Sequence, residues 1–130
     1  MDTNVLIYDT FEDTVYHKEA RSLLDSLLEW NVPSVVIIEF VAFLNKLHLK
    51  REDILNKLDE LINDPKFNLI EVEKEDLLAA LKIVEGEQLS PLRLNDKIIL
   101  SVSSRRKENL QTFDKKLKRE FENLSKKQNI

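Results

Sequence analysis

Four acidic residues stand next to apolar segments, at positions where their carboxylates could share one site. They are Asp2, Glu39, Asp96 and Asp114. Carboxylates packed close together repel each other, and a hard divalent cation such as Mg²⁺ or Mn²⁺ relieves the conflict because it prefers oxygen ligands. If the four acids converge, the sequence predicts a metal site that can activate a water molecule.

Alternating helix and strand patterns must position these acids. Apolar residues recur at helical spacing over 20–28, 40–47, 54–62, 77–84 and 117–124, and the apolar run 98–102 behind Asp96 is predicted to be a buried helix, with a strand as the alternative. The β-branched run 35–38 is predicted to be a strand buried on both faces, with further strands at 67–72 and 109–113. This pattern predicts a single α/β domain over 1–130, with a central, mostly parallel sheet between helical layers.

The predicted strands place the acids at one edge of the sheet. Glu39 and Asp114 each follow a strand directly, and ligands bind beyond the carboxyl ends of parallel strands. Any single acid also has an ordinary role, since 24 Asp and Glu are present and acids at element ends commonly cap helices. The argument for a site therefore depends on the combination.

The combination occurs in a fixed order along the chain. The segments are Asp2-Thr3-Asn4-Val5-Leu6-Ile7-Tyr8, Ile38-Glu39-Phe40, Asn95-Asp96-Lys97-Ile98-Ile99 and Thr112-Phe113-Asp114. This ordered set resembles the PIN-domain family, and in particular its VapC-type toxin ribonucleases, over essentially the whole chain. The resemblance implies a three-layer α/β/α fold and a metal site formed by the four acids, with Thr112 and Asn4 supporting it.

The resemblance also implies a function. It indicates a Mg²⁺- or Mn²⁺-dependent endoribonuclease that leaves a 5′-phosphate, is inhibited by a VapB-like antitoxin and commonly forms a homodimer. For the dimer, Phe40, Phe43, Leu44 and Leu47 together with helix 54–62 offer apolar surface, although core burial explains the same residues. Two alternatives stay open: a PIN-like nuclease of RNA processing, and a catalytically inactive module that binds RNA or protein.

Two features depart from the family pattern. Only Met1 precedes Asp2, where the family has a central strand, so either that strand is shortened or the true start lies upstream. A register with residues 5–8 as the strand and Asp9 as the first acid leaves too short a distance to the next helix, which favours Asp2. At the other end, a polar tail ending at Ile130 stands where the family usually has an edge strand.

Charge is unevenly distributed along the chain. The net charge of −4 argues against a surface that binds nucleic acid everywhere, yet residues 101–130 hold nine Lys and Arg against four acids. That segment is therefore +5 and the remainder −9. Basic residues of 105–119, or equally Arg93 or Lys97, are candidates for contacts with an RNA backbone.

Composition excludes several other classes of protein. With no cysteine there is neither a disulfide framework nor a thiolate zinc site, and no apolar run approaches the roughly 18 residues of a membrane span. The N-terminus shows no secretion signal, so we expect a cytoplasmic protein. His17 and His48 share no ligand spacing and are expected to pack against helices or lie at the surface. A single glycine, Gly86, cannot build a phosphate-binding loop.

Overall fold

The computed structural model describes residues 1–128, so the end of the predicted polar tail, Asn129 and Ile130, lies outside the described residues. The elements are α1 (Thr3–Thr10), α2 (His17–Ser26), β1 (Trp30–Pro33), α3 (Ser34–Lys46), α4 (Arg51–Ile62), β2 (Phe67–Ile70), α5 (Lys74–Gly86), α6 (Leu94–Arg105) and α7 (Lys115–Gln128), with a short 3-10 turn at Pro91–Arg93. Among these elements, no helix is long and apolar enough to cross a membrane.

The two strands form a parallel pair. Trp30 lies opposite Phe67 and Pro33 opposite Ile70, and two helices separate the strands along the chain. The predicted α/β class with a parallel sheet is confirmed, although helices dominate the described residues. The larger apolar core is built around Val5, Val36, Phe40 and Ile99, and a smaller one joins Ile70 of β2 to α5 and α6.

The strand predicted at 35–38 is wrong, because these residues form the start of α3. Val36, Phe40 and Leu44 recur every four residues and are buried, whereas Ile38 is 69% exposed. The β-branched run therefore packs along one helical stripe, and tertiary burial overrides its preference for extended backbone. The strand lies just upstream as β1, and Pro33 stands at its boundary with the helix.

The strand predicted at 109–113 is also absent from the described residues. Its backbone still meets the chain start, since the Gln111 carbonyl accepts from the Asp2 amide at 2.8 Å. A ladder needs a neighbouring strand of several residues, and Met1 and Asp2 supply only two. The prediction at 67–72 is confirmed over the shorter span Phe67–Ile70.

The predicted helices are confirmed, with shifted ends. The segment 20–28 lies largely in α2, which begins at His17, and 40–47 lies almost wholly within the longer α3. The run 98–102 is helical in α6, as the sequence analysis predicted in preference to a strand.

Two residues of the proposed dimer surface, Phe40 and Leu44, are buried within the chain, so core packing already accounts for them.

Met1 and Asp2 lie between β1 and residues 109–111. The Met1 ammonium donates to the Asn31 carbonyl at 3.1 Å, while the Asp2 amide bonds on the opposite side. Burial lowers the pKa of this ammonium to about 6, although the charges of Asp2 and Glu108 act in the opposite direction. Met1, Asn31 and Gln111 also line an open groove of about 440 Å³.

The alternative register, with a strand at 5–8, is excluded by the structure. These residues form the middle of α1. Asp9, the acid of that register, lies near the end of the helix and pairs with Arg21 at 3.4 Å and Lys57 at 4.0 Å. Its contacts tie α1 to α2 and α4.

Three connections after helices pass through left-handed backbone without glycine. His48, Gln88 and Lys107 have φ of 57°, 54° and 55°. After α5 the Leu89 amide bonds the Val84 carbonyl, and after α6 the Glu108 amide bonds the Ser103 carbonyl. These six-to-one bonds are typical of a Schellman ending. Gly86, the single glycine, is the last residue of α5 and has no positive φ.

A buried carboxylate joins α5 to α6. Asp76 is 1% exposed, and its oxygens accept from Ser101 Oγ at 2.9 Å, from Arg105 at 3.1 and 3.2 Å, and from the Glu73 amide at 2.9 Å. Burial raises the pKa of Asp76, but the hydrogen bonds from Arg105, Glu73 and Ser101 outweigh it, and the net shift is downward. The ionised carboxylate therefore stabilises the fold.

We predict that Asp76→Ala lowers the free energy of unfolding by about 2–4 kcal/mol at pH 7, because Ser101 and the Glu73 amide lose their acceptor and Arg105 keeps only its contacts with Glu73 and the Glu71 carbonyl. A depressed pKa gives stability that is present above the unfolded value of 3.8 and lost as pH falls through the folded value. The difference from wild type should therefore shrink in acid. Urea melts of Glu75→Ala, an exposed neighbour on α5, are the control, and equal midpoints for the two variants would refute the prediction.

Candidate functional site

The site is built around Asp2, the N-cap of α1. Its Oδ1 accepts from the Thr3 amide and its Oδ2 from the Thr112 hydroxyl, both at 2.7 Å. The single Thr112 proton goes to Asp2, so the hydroxyl oxygen acts as acceptor for Asn4 Nδ2 at 3.2 Å and for the Asp114 amide at 3.0 Å. The structure thus brings both predicted supporting residues, Asn4 and Thr112, to Asp2.

Glu39 reaches the site from α3 and not from the end of a strand. Its Oε1 accepts from the Thr3 hydroxyl at 3.1 Å, which links it to Asp2 through one residue. Burial raises the pKa of Glu39, and the charges of Asp2 and Asp96 raise it further, while hydrogen bonds from Thr3 and Asn95 lower it. The charges of Asp2 and Asp96 therefore both act on Glu39.

Asp96 comes from the first turn of α6. Arg93 Nε lies 3.2 Å from its Oδ2, in an ion pair whose geometry does not make a hydrogen bond. Burial raises the pKa of Asp2, and the nearby charge of Asp96 adds to that shift against hydrogen bonds from Thr112 and Thr3. Three acids from three separate elements, Asp2, Glu39 and Asp96, thus share one negative field.

Asp114 is placed differently from the other three. It is exposed, and its Oδ1 accepts from the Lys116 amide at 3.0 Å and the Leu117 amide at 3.2 Å, which caps the first turn of α7. This is the ordinary role of an acid at a helix start. Its connection to Asp2 runs through its own backbone amide and the Thr112 hydroxyl.

The donor set fits a hard divalent cation in its chemistry. All donors are carboxylate or hydroxyl oxygens, and the raised pKa values of Asp2 and Glu39 reflect burial and crowding of like charge. As placed, no group of three or more His or acidic side chains in residues 1–128 is close enough to hold an ion directly. Binding therefore requires the side chains to move together or waters to bridge them.

The raised pKa values also have a consequence for stability. Asp2 and Glu39 bind protons more readily in the folded state than in the unfolded chain. Their contribution is fully present below the unfolded values of 3.8 and 4.5 and is lost as pH rises through the folded values. Once ionised, the pair opposes folding, and a bound cation would offset that effect.

Sequence reasoning missed two residues of the site. Thr3 bridges Asp2 and Glu39, and Asn95 bonds Glu39. Both are direct neighbours of a predicted acid along the chain, so adjacency to the motifs was the available signal.

His17, to which the sequence analysis gave no functional role, forms a hydrogen bond with the Tyr8 carbonyl at 2.8 Å and connects α2 to α1.

The candidate basic residues are not equivalent. Lys97 is 2% exposed and bonds Glu120, so its ammonium is not available to an RNA backbone. Arg105 is held by Asp76. The exposed basic residues nearest to the site along the chain are Lys115 and Lys116, in the first turn of α7 directly after Asp114.

Comparison with models of protein families identifies the family of the chain. A family model described as the PIN domain matches residues 1–120. No curated protein sequence matches the chain. The family match spans all four predicted acids and every described element up to the middle of α7. The chain belongs to the PIN-domain family.

Proposed function

We propose that the chain is an endoribonuclease that hydrolyses RNA phosphodiester bonds with Mg²⁺ or Mn²⁺. PIN domains are generally divalent-metal nucleases that act on RNA. The observation that carries the proposal is that Asp2, Glu39 and Asp96, from three separate elements, act on one another electrostatically, while Thr3 is hydrogen-bonded to both Asp2 and Glu39. A purely structural module has no need for this costly arrangement of like charges.

Each residue has a proposed task. A bound divalent ion supplies Lewis-acid stabilisation of the phosphate and an acidic water. Asp2, Glu39 and Asp96 are its ligands, directly or through waters, and Asp114 closes the site from α7. Thr112 and Asn4 hold Asp2 and the 112–114 backbone in place.

The proposed reaction is the hydrolysis of one phosphodiester bond of RNA. A water oxygen bonds to phosphorus, the bond from phosphorus to the 3′ oxygen breaks, and a 5′-phosphate and a 3′-hydroxyl result. Glu39 would hold the ion through this water and not directly, which leaves its carboxylate free to accept the water's proton. The departing 3′ oxygen takes a proton from solvent. Lys115 and Lys116 are proposed to contact the RNA backbone beside the site.

We predict that the purified protein cuts single-stranded RNA only with Mg²⁺ or Mn²⁺ and that Asp96→Asn lowers the rate at least about 100-fold, since even outer-shell partners of a metal site are typically worth 10- to 100-fold. Gel assays on a labelled RNA with defined metal measure this. Asp13→Asn, an exposed acid in the loop after α1, is the matched control and should cut normally. A folded Asp96→Asn protein that cuts at the wild-type rate would remove Asp96 from the site.

We further propose that the protein is cytoplasmic and is the toxin of a VapBC-type pair, inhibited by an antitoxin that inserts a basic side chain among the carboxylates. Support comes from Arg93, whose Nε already lies 3.2 Å from Asp96, so a guanidinium fits beside this acid. We expect the product of a neighbouring small open reading frame to bind tightly and suppress cleavage. Binding without any change in the cleavage rate would count against this role.

We also propose a homodimer. With Phe40 and Leu44 buried, the remaining apolar surface on α4 includes Leu55 and Ile62, exposed to 45% and 48% and two turns apart. We predict that Leu55→Glu shifts the mass measured by light scattering toward the monomer at tens of micromolar, roughly the range of weak dimers. Leu92→Glu, at a 90% exposed leucine of the 3-10 turn, is the control. A wild-type monomer would end this proposal.

A further inference from the structure

One buried charged side chain belongs to the residue that follows Asp96 in the sequence. Lys97 follows Asp96 on α6 and is only 2% exposed. Its Nζ lies 2.5 Å from Glu120 Oε2 on α7, and the Glu120 side chain is 27% exposed. On the same helix, Ile98, Ile99 and Leu100 are buried apolar residues, so a charged residue at this position is unexpected.

Stability alone does not explain this lysine. Removing an ammonium from water costs several kcal/mol, and a buried ion pair is often matched or exceeded in stability by apolar residues of similar volume. Apolar contacts between two helices, such as those of Leu117 and Phe121 with the core, are not directional. A buried ion pair is directional, because a shift along the helix axis would leave the buried Lys97 ammonium without its partner. The pair therefore fixes one register of α7 against α6.

That register matters for the acidic site. Asp96 is the direct neighbour of Lys97, and Asp114 caps the first turn of the helix that carries Glu120. From the same turn the Asp114 amide bonds Thr112, whose hydroxyl bonds Asp2. One ion pair thus links the helix that bears Asp96 to the helix that begins at Asp114.

We propose that Lys97 is a positioning residue, which sets Asp114 and the 112–114 backbone relative to Asp96 through Glu120 and thereby tunes divalent-metal affinity. The inference rests on the proposed function, since it assumes that these acids bind a cation. Lys97 itself touches neither metal nor RNA in this scheme, because its ammonium is held by Glu120.

The test replaces the ion pair with apolar residues in the full chain. Lys97→Met combined with Glu120→Leu should fold, with a melting temperature close to wild type, because the buried charges leave together. Its Kd for Mn²⁺, measured by calorimetry without RNA, should rise about tenfold or more, the usual effect of a lost outer-shell support. Amide exchange at Lys116 and Leu117, which donate to Asp114, should accelerate.

The control applies the same changes at exposed positions. Lys74→Met with Glu85→Leu on α5 removes one charge of each sign at positions that do not share a cavity with Glu120, and it should leave the Kd for Mn²⁺ unchanged. A wild-type protein that does not bind Mn²⁺ would overturn the proposed function itself. Wild-type binding together with an unchanged Kd in the folded Lys97 and Glu120 double variant would overturn only the positioning role. Failure of the double variant to fold would also overturn it, since the pair would then be needed for stability.

Discussion

The hydrogen bond from Thr112 to Asp2 joins residues 110 positions apart, and the geometry around the site depends on it. A hydroxyl has one proton to give, and here it goes to a carboxylate that burial makes harder to ionise. The oxygen is left to accept from Asn4 and from the amide of Asp114. One side chain thereby orders the first acid, the start of α1 and the turn that leads into α7.

Electrostatics set the second constraint on the molecule. Asp2, Glu39 and Asp96 come together from separate helices, and desolvation with mutual repulsion raises the pKa values of the first two. Two cations lie near these acids: the partly exposed Arg93 guanidinium, which pairs with Asp96, and the Met1 ammonium, whose charge lowers the pKa of Asp2. Two further cations on α6 are paired with other acids, Arg105 with Asp76 and Lys97 with Glu120. The field at the acids thus stays strongly negative, as a cation site requires.

The sequence allowed most helices to be predicted, because their apolar residues recur at a period that only a helix satisfies. The prediction at 35–38 was wrong. Its four β-branched residues have strand propensity, but packing of Val36, Phe40 and Leu44 into the core makes this segment helical. The same error placed Glu39 at a strand end. The strand predicted at 109–113 was wrong for another reason, because strand pairing depends on a second segment that is distant in the sequence.

The candidate site was predictable in part. Motif order named the acids, and the structure brings Asp2, Glu39 and Asp96 into one field. Asp114 instead caps a helix, and no sequence pattern distinguishes a cap from a ligand at that position. Thr3 and Asn95 were not found, because a hydroxyl or an amide acquires its partner only when two helices meet.

The helix ends at His48, Gln88 and Lys107 adopt left-handed backbone that glycine would adopt at no steric cost. At each of these positions the left-handed backbone costs the folded state about 1 kcal/mol. Compared with glycine, the side chain also lowers the conformational entropy of the unfolded chain, which stabilises the folded state by an amount of similar size. The residues at these helix ends therefore do little to favour helix termination. The residue at which each helix ends is determined by the packing of the flanking helices. A synthetic peptide covering α5 and the turn behind it would have no such neighbours, and its helix would fray or run on without a defined end.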